Sequence, residues 1–112
     1  MIIYHNSRCS KSREALGFLE KNKCDFEIRD YLKDPPSQKE LKELLTKLKC
    51  KVIAIVRKKE PLYLNKFKDK KITNSQWIAI LAKNPILIER PIIINKNKAI
   101  IGRPTSLILD II

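Results

Sequence analysis

The sequence predicts an α/β fold built on a mixed sheet of four strands, and two observations support this prediction. The start of the chain is patterned as strand, helix and strand, an order that places two parallel strands beside each other. The end of the chain is patterned as two apolar strands joined by a turn, which predicts an antiparallel hairpin. The complete order is β-α-β, a helical stretch, then β-β-α.

The first β-α-β unit is predicted from the spacing of its apolar residues. Residues 2–4 are short, apolar and β-prone, and residues 10–22 place apolar side chains at helical spacing. Residues 26–31 then alternate apolar and charged side chains, as a strand with one wet face does.

Two capping boxes predict the helices of the middle segment. Ser37 and Glu40 have the Ser-x-x-Glu spacing ahead of a leucine-rich run, and Thr73 and Gln76 open a second helix. The short segment 52–56 between them would fit a brief helix.

The tail is predicted as a hairpin and a closing helix. Residues 91–94 and 98–101 are apolar runs on either side of a turn-like Asn-Lys-Asn sequence, and the helix follows Thr105. This order is the thioredoxin-like arrangement with extra helices in its middle. We therefore expect one thioredoxin-like domain over residues 1–112, with a helical insert at about 37–84.

Composition restricts the protein to a few classes. The hydrophobic fraction of 44% with 2 Gly in 112 residues is typical of a packed globular domain. The start lacks the apolar core of a secretory signal, and no apolar run approaches the roughly 20 residues that cross a bilayer. We expect a cytoplasmic protein that makes no membrane contact, forms a monomer and keeps its 3 cysteines reduced.

The formal net charge of +12 invites a nucleic-acid partner, but the local patterns argue against one. The densest basic stretch, residues 66–71, lacks helix-turn-helix spacing, zinc-finger spacing and a base-stacking pattern. A solvated lysine face explains the charge better, and an acidic partner remains open.

The segment around Cys9 is the strongest candidate for chemistry. It places a cysteine where a strand gives way to a helix, and the free N–H groups of a helix start stabilise a thiolate. Arg8, Lys11 and Arg13 add positive charge, and the Ser12 hydroxyl is placed to donate a hydrogen bond to the sulfur. Cys9 is therefore a candidate nucleophile; the alternative is a buried structural cysteine.

The role of His5 stays open, whereas the motif and the other two cysteines can be interpreted. His5 is either a hydrogen-bonded structural residue or a group that tunes Cys9. The motif is Cys-x-x-Ser, so Ser12 cannot resolve an oxidised Cys9 and a second molecule must supply the thiol. Cys24 and Cys50 are interpreted as partly buried small hydrophobic residues. No metal site is predicted from the cysteine spacing.

Arginine usage suggests an oxyanion. Arginine has a planar, permanently charged fork suited to bidentate oxyanion binding. Arg90 and Arg103 each precede a proline, which favours extended backbone at strand edges or turns. Surface ion pairs are the competing explanation.

These residues resemble the glutaredoxin-coupled arsenate reductases and their relatives over nearly the whole chain. The resemblance rests on five segments: Tyr4-His-Asn-Ser-Arg-Cys-Ser-Lys-Ser-Arg13, Tyr31-Leu-Lys-Asp-Pro-Pro36, Arg57-Lys-Lys, Asn84-Pro-Ile-Leu-Ile-Glu-Arg-Pro-Ile-Ile94 and Gly102-Arg-Pro104.

The resemblance implies a role for each site residue. Cys9 would be the nucleophile, tuned by His5, Ser12 and Arg13. Pro91 would be a cis-proline opposite the cysteine. The oxyanion would be bound by three arginines, which are Arg57, Arg90 and Arg103.

The resemblance also implies the reaction and its partners. Cys9 would attack arsenate, glutathione would join the arsenic adduct as a cosubstrate, and glutaredoxin would resolve the mixed species to release arsenite. No bound cofactor is expected. Two alternatives remain, a glutathione-dependent mixed-disulfide reductase and a redox-responsive module that binds the transcription machinery. The regulator relatives commonly carry Cys-x-x-Cys, so Ser12 argues against the last.

Overall fold

The computed structural model describes all of residues 1–112 and divides the chain into two compact units. The first unit comprises Met1–Asp34 and Arg90–Ile112, and the second comprises Pro35–Glu89. The middle segment that the sequence predicts as an insert at about 37–84 is thus the main part of the second unit.

The first unit is a four-stranded mixed sheet with the strand order β2-β1-β3-β4. Strand β1 runs parallel to β2 and antiparallel to β3, and β3 is antiparallel to β4. The strands and the helix α1 that follows β1 are β1 Ile2–His5, α1 Ser10–Lys21, β2 Glu27–Asp30, β3 Ile92–Asn95 and β4 Lys98–Ile101. The predicted α/β fold with a four-stranded mixed sheet is confirmed.

Helix α1 covers the sheet because its apolar residues recur on one face. Ala15 and Leu19 are completely buried and pack in one cluster with Ile3, Ile93 and Ile108. At about 25 cal/mol per Å² of apolar surface, burying such side chains is the main term that holds helix and sheet together. This packing presents the start of α1, where Cys9 lies, at the carboxyl end of β1.

The second unit is helical, with helices α2 Gln38–Leu48, α3 Pro61–Lys66 and α4 Asn74–Lys83. Both capping boxes form as predicted, at Ser37 with Glu40 and at Thr73 with Gln76. The predicted brief helix is a 3-10 helix at Val52–Ile55, and α4 packs against it and against α2. None of the helices combines the length and apolar character needed to span a membrane.

Two elements differ from the sequence-based expectation. Helix α3 was not predicted, because its six residues give too short a pattern and it begins with a proline at its first turn. The closing segment Thr105–Asp110 is a 3-10 helix rather than an α-helix. Its Ile108 is fully buried while Leu109 is half exposed.

Candidate active site around Cys9

Cys9 occupies the N-cap position of α1 and lies in the turn that leaves β1. Its backbone N–H donates to the carbonyl of Asn6 at 3.0 Å, and its own carbonyl accepts from the N–H of Arg13 at 3.1 Å. The Cys9 backbone is extended, and its side chain makes no capping hydrogen bond of normal geometry. The sulfur therefore stands beside the free N–H groups of the first helical turn, where a negative charge is favoured.

The electrostatic balance at the sulfur favours the thiolate. Burial of Cys9, which is 8% exposed, acts to raise its pKa. Hydrogen bonding to the sulfur opposes this effect, from Arg90, from the backbone N–H groups of Ser12 and Lys11, and from the Ser12 hydroxyl. The pKa of the Cys9 thiol falls to about 7, so a large share of the sulfur is nucleophilic thiolate at neutral pH.

Arg103 reaches the same sulfur from the end of β4. Its Nη2 atom lies 3.6 Å from the Cys9 Sγ atom, and its Nε donates to the carbonyl of Arg90 at 2.6 Å. The backbone N–H of Gly102 also donates to the carbonyl of Pro91, at 2.9 Å. The segment after β4 is thus bound to the segment before β3 by two hydrogen bonds, and both segments present an arginine to Cys9.

Arg90 has donor capacity left over. Its Nε and Nη1 atoms are buried and have no hydrogen-bond partner of normal geometry. A buried guanidinium N–H without a partner lowers stability unless a ligand accepts its hydrogen bond. An oxyanion is well suited to accept hydrogen bonds from arginine. The Arg90–Pro91 and Arg103–Pro104 peptide bonds are both cis.

His5, Ser12 and Arg13 surround the cysteine in different ways. Ser12 is fully buried, and its hydroxyl has no hydrogen-bond partner of normal geometry. The same hydroxyl acts to lower the pKa of Cys9. Burial lowers the pKa of His5, Asp30 opposes this effect and Arg13 adds to it. The exposed Arg13 guanidinium donates to the carbonyl of Ser7 at 2.9 Å and so braces the loop before Cys9.

Arg57 lies in the second unit. Its guanidinium is within 3.6 Å of a Glu60 carboxylate oxygen and 3.7 Å of one on Glu89. Its backbone N–H donates to the carbonyl of Leu87 at 2.7 Å, next to the bridge between Val56 and Ile88. Its Nη1 atom is buried and has no hydrogen-bond partner.

Sequence reasoning missed two residues of this region, Asn6 and Tyr31. Asn6 is buried and closes the turn before Cys9, since its Oδ1 accepts from the backbone N–H of Arg8 at 3.0 Å. An asparagine directly after a strand is a usable turn signal. Tyr31 is fully buried and stacks on Tyr4 with 6.1 Å between ring centroids. The sequence around Tyr31 predicts only a strand with one wet face, and this pattern does not indicate that Tyr31 lies near Cys9.

The structure holds no cluster of three or more histidine, cysteine or acidic residues that would bind a metal. The three cysteines are free thiols. The chemistry that this arrangement supports is nucleophilic attack by one thiolate on a group that two arginines hold beside it.

Comparisons with known proteins agree on one family. The model of the ArsC family matches residues 4–111. An uncharacterized protein of Escherichia coli K12, YfgD, is 41% identical over 98% of this chain and 94% of its own. An arsenate reductase of Neisseria meningitidis is 39% identical over 91% and 89%. The solved structure of an arsenate reductase from Vibrio cholerae is 40% identical, has a TM-score of 0.94 and covers 99% of this chain and 96% of that one.

Proposed function

This chain belongs to the ArsC family, and we propose that it is an oxidoreductase that reduces arsenate to arsenite through the Cys9 thiolate. The observation that carries the proposal is the pairing of Cys9 with Arg90 and Arg103. One arginine has buried, unpartnered N–H groups and the other lies 3.6 Å from the sulfur. This arrangement can hold a tetrahedral oxyanion with its central atom next to the nucleophile.

The first step forms a bond between sulfur and arsenic. The Cys9 thiolate attacks arsenic(V), one oxygen leaves as water after protonation, and the positive charge of the arginines offsets the charge of the remaining oxygens. Arsenic keeps its oxidation state in this step. Ser12 and the N–H groups at the start of α1 stabilise the thiolate before attack and when it leaves again.

The reducing electrons come from outside the chain, since the site contains no second thiol. We propose glutathione and glutaredoxin as the donors. A glutathione thiol replaces a second oxygen on arsenic, and a glutaredoxin thiolate then attacks the glutathione sulfur. The sulfur–arsenic bond breaks with its electron pair passing to arsenic, a mixed disulfide forms, and hydrolysis of the Cys9–arsenic(III) bond releases arsenite.

The family resemblance leads us to propose Arg57 as a third oxyanion-binding arginine. Its unpartnered Nη1 atom supports this role, because that nitrogen keeps a free donor despite the ion pairs with Glu60 and Glu89. We also propose that His5 and Arg13 tune Cys9, and the contact of Arg13 with the Ser7 carbonyl supports this for Arg13. We further propose that the protein acts in the cytoplasm as a monomer.

The test is a comparison of two substrates under one set of conditions. Arsenate and a glutathionylated disulfide are each supplied with glutathione and glutaredoxin, and arsenite or free thiol is measured. We expect turnover of arsenate that is lost in Cys9→Ser. Turnover of the disulfide alone would show that the chain is a mixed-disulfide reductase, and the arsenate proposal would then be wrong.

A further inference from the structure

The strand register aligns three polar residues in one row at the carboxyl end of the sheet. In the parallel pair, His5 lies opposite Asp30, so the next residues in register are Asn6 and Tyr31. In the antiparallel pair, Tyr4 lies opposite Ile92, and the same register two residues on brings Asn6 level with Arg90. Continued past the paired residues, the register therefore places Tyr31, Asn6 and Arg90 in one row across three neighbouring chain segments, and Asn6 connects this row to Cys9 because its carbonyl accepts from the Cys9 N–H.

Tyr31 ends this row with a buried hydroxyl. The residue is fully buried, and its hydroxyl oxygen completes no hydrogen bond of normal geometry. The strand register places it beside Asn6 and near Arg90, and both of these residues act to lower the pKa of the phenol while the charge of Cys9 acts to raise it. A hydroxyl beside a guanidinium acts as a hydrogen-bond acceptor, because the guanidinium has donors only.

We propose that Tyr31 is a positioning residue that holds the Arg90 guanidinium in the orientation in which it meets the Cys9 sulfur and the bound oxyanion. The inference concerns the site of the proposed reductase and rests on Cys9 being its nucleophile. The Nε and Nη1 atoms of Arg90 and the hydroxyl of Tyr31 are all buried and have no hydrogen-bond partner of normal geometry, so a contact between the two side chains would fix the plane of the guanidinium. The stacking of Tyr31 on Tyr4, with 6.1 Å between ring centroids, holds the phenol in place.

The protonation state of Tyr31 fits this role. Burial raises its pKa to about 12, although Arg90 acts in the opposite direction. The phenol is therefore neutral at physiological pH and can accept from Arg90 while it donates its own proton to Asn6. The groups that act on the Cys9 sulfur are Arg90, Arg103, the Ser12 hydroxyl and the α1 backbone, so a change in Arg90 is measurable there.

The test is Tyr31→Phe, which removes the oxygen and keeps the ring. The readout is the rate of Cys9 alkylation by iodoacetamide across pH 5 to 9, which needs no arsenate. We expect the apparent pKa of Cys9 to rise, so that alkylation at pH 6 slows about threefold to tenfold. Tyr63→Phe is the matched control, because it removes a phenol hydroxyl from the second unit, and it should leave the profile unchanged.

A double-mutant cycle separates positioning from a loss of packing. If Tyr31 acts through Arg90, then Tyr31→Phe should have no further effect on the alkylation profile in an Arg90→Gln background. An unchanged profile in Tyr31→Phe, or full additivity in the cycle, would overturn the proposal. If the arsenate function were wrong, the alkylation result would stand unaffected.

A measurement on the unmodified protein tests the proposal even if the Tyr31→Phe variant folds poorly. Proton NMR should show a nuclear Overhauser contact between the Tyr31 ring and the Arg90 side chain, together with slow exchange of the Arg90 Nε proton. Absence of that contact in the folded protein would also overturn the proposal.

Discussion

At the scale of single residues, the reactivity of Cys9 depends on what surrounds its sulfur. Burial alone would raise the pKa of the thiol, and the donors around it more than compensate. By contrast, Cys50 is partly buried without such donors, and burial raises its pKa. The two thiols of one chain should therefore respond to pH in different ways.

The first prediction is the pH profile of alkylation. With a pKa of about 7, Cys9 is half thiolate near neutral pH, so its reaction with iodoacetamide should rise through pH 6 to 8 and level off above. Cys50 should react only at higher pH because its pKa is raised. Peptide mass spectrometry of briefly treated protein measures both. Equal rates for the two cysteines at pH 6.5 would contradict the activation of Cys9.

The second prediction concerns Arg103. Its guanidinium contacts the Arg90 carbonyl through Nε and the Cys9 sulfur through Nη2, two directions that a lysine ammonium cannot cover together. Arg103→Lys should lower kcat/KM for arsenate about tenfold to hundredfold, with thermal stability nearly unchanged because the side chain is exposed. Arg29→Lys on strand β2 makes the same change at a place outside the site and should keep activity within about twofold. Similar losses in both variants would refute the specific role.

At the scale of secondary-structure elements, the site depends on how closely β3 and β4 approach at their ends. Gly102 lies at that approach and is buried. A Cβ atom at position 102 would lie 2.9 Å from Cδ1 of Ile93 and 3.3 Å from Cγ of Pro91. A side chain at position 102 therefore requires either the buried Ile93 and Pro91 side chains or the segment that carries Arg103 to shift.

The third prediction compares the two glycines of the chain. Gly102→Ala should destabilise the fold by about 1–3 kcal/mol through overpacking and should also lower reductase activity. Gly17→Ala introduces a Cβ on α1 with nothing within 4 Å, so it should stabilise the fold by about 0.5–1 kcal/mol through helix propensity and leave activity intact. Chemical denaturation with activity assays measures both. A Gly102→Ala protein with full activity would show that the close approach does not set Arg103.

At the scale of the whole molecule, Cys9 is the one cysteine of three that has an arginine beside its sulfur, and its pKa is lowered. All three thiols are free, and the Cys-x-x-Ser sequence offers no partner thiol within the site. Under the proposed function, a separate thiol supplies the electrons for reduction.

The fourth prediction follows from this arrangement. Cys24→Ser and Cys50→Ser should retain reductase activity within about twofold, and arsenate without added glutathione should yield no arsenite. Intact-mass spectrometry of the protein after arsenate treatment should show no loss of the mass of two hydrogen atoms, which an internal disulfide would produce. Loss of activity in either serine variant would assign that cysteine a resolving role.

Much of this architecture could be predicted from the sequence because its signals are local. The capping boxes at Ser37 and Thr73 need only neighbouring residues, and both form. Helix α3 was missed because a six-residue helix gives almost no periodic signal. The family was recognised from residues close in sequence, such as the Cys9 turn, and the match over residues 4–111 confirms it.

By itself the sequence determined the order of the strands and of the longer helices, the family and the identity of the candidate nucleophile, since each depends on short-range patterns or on a motif. Only the tertiary structure decided which distant residues meet. Arg103 reaches Cys9 across 94 positions of chain, and the sheet register brings Tyr31, Asn6 and Arg90 into one row. The physical reason is that strand pairing, which no local pattern specifies, sets these contacts and, through them, the charge at the sulfur.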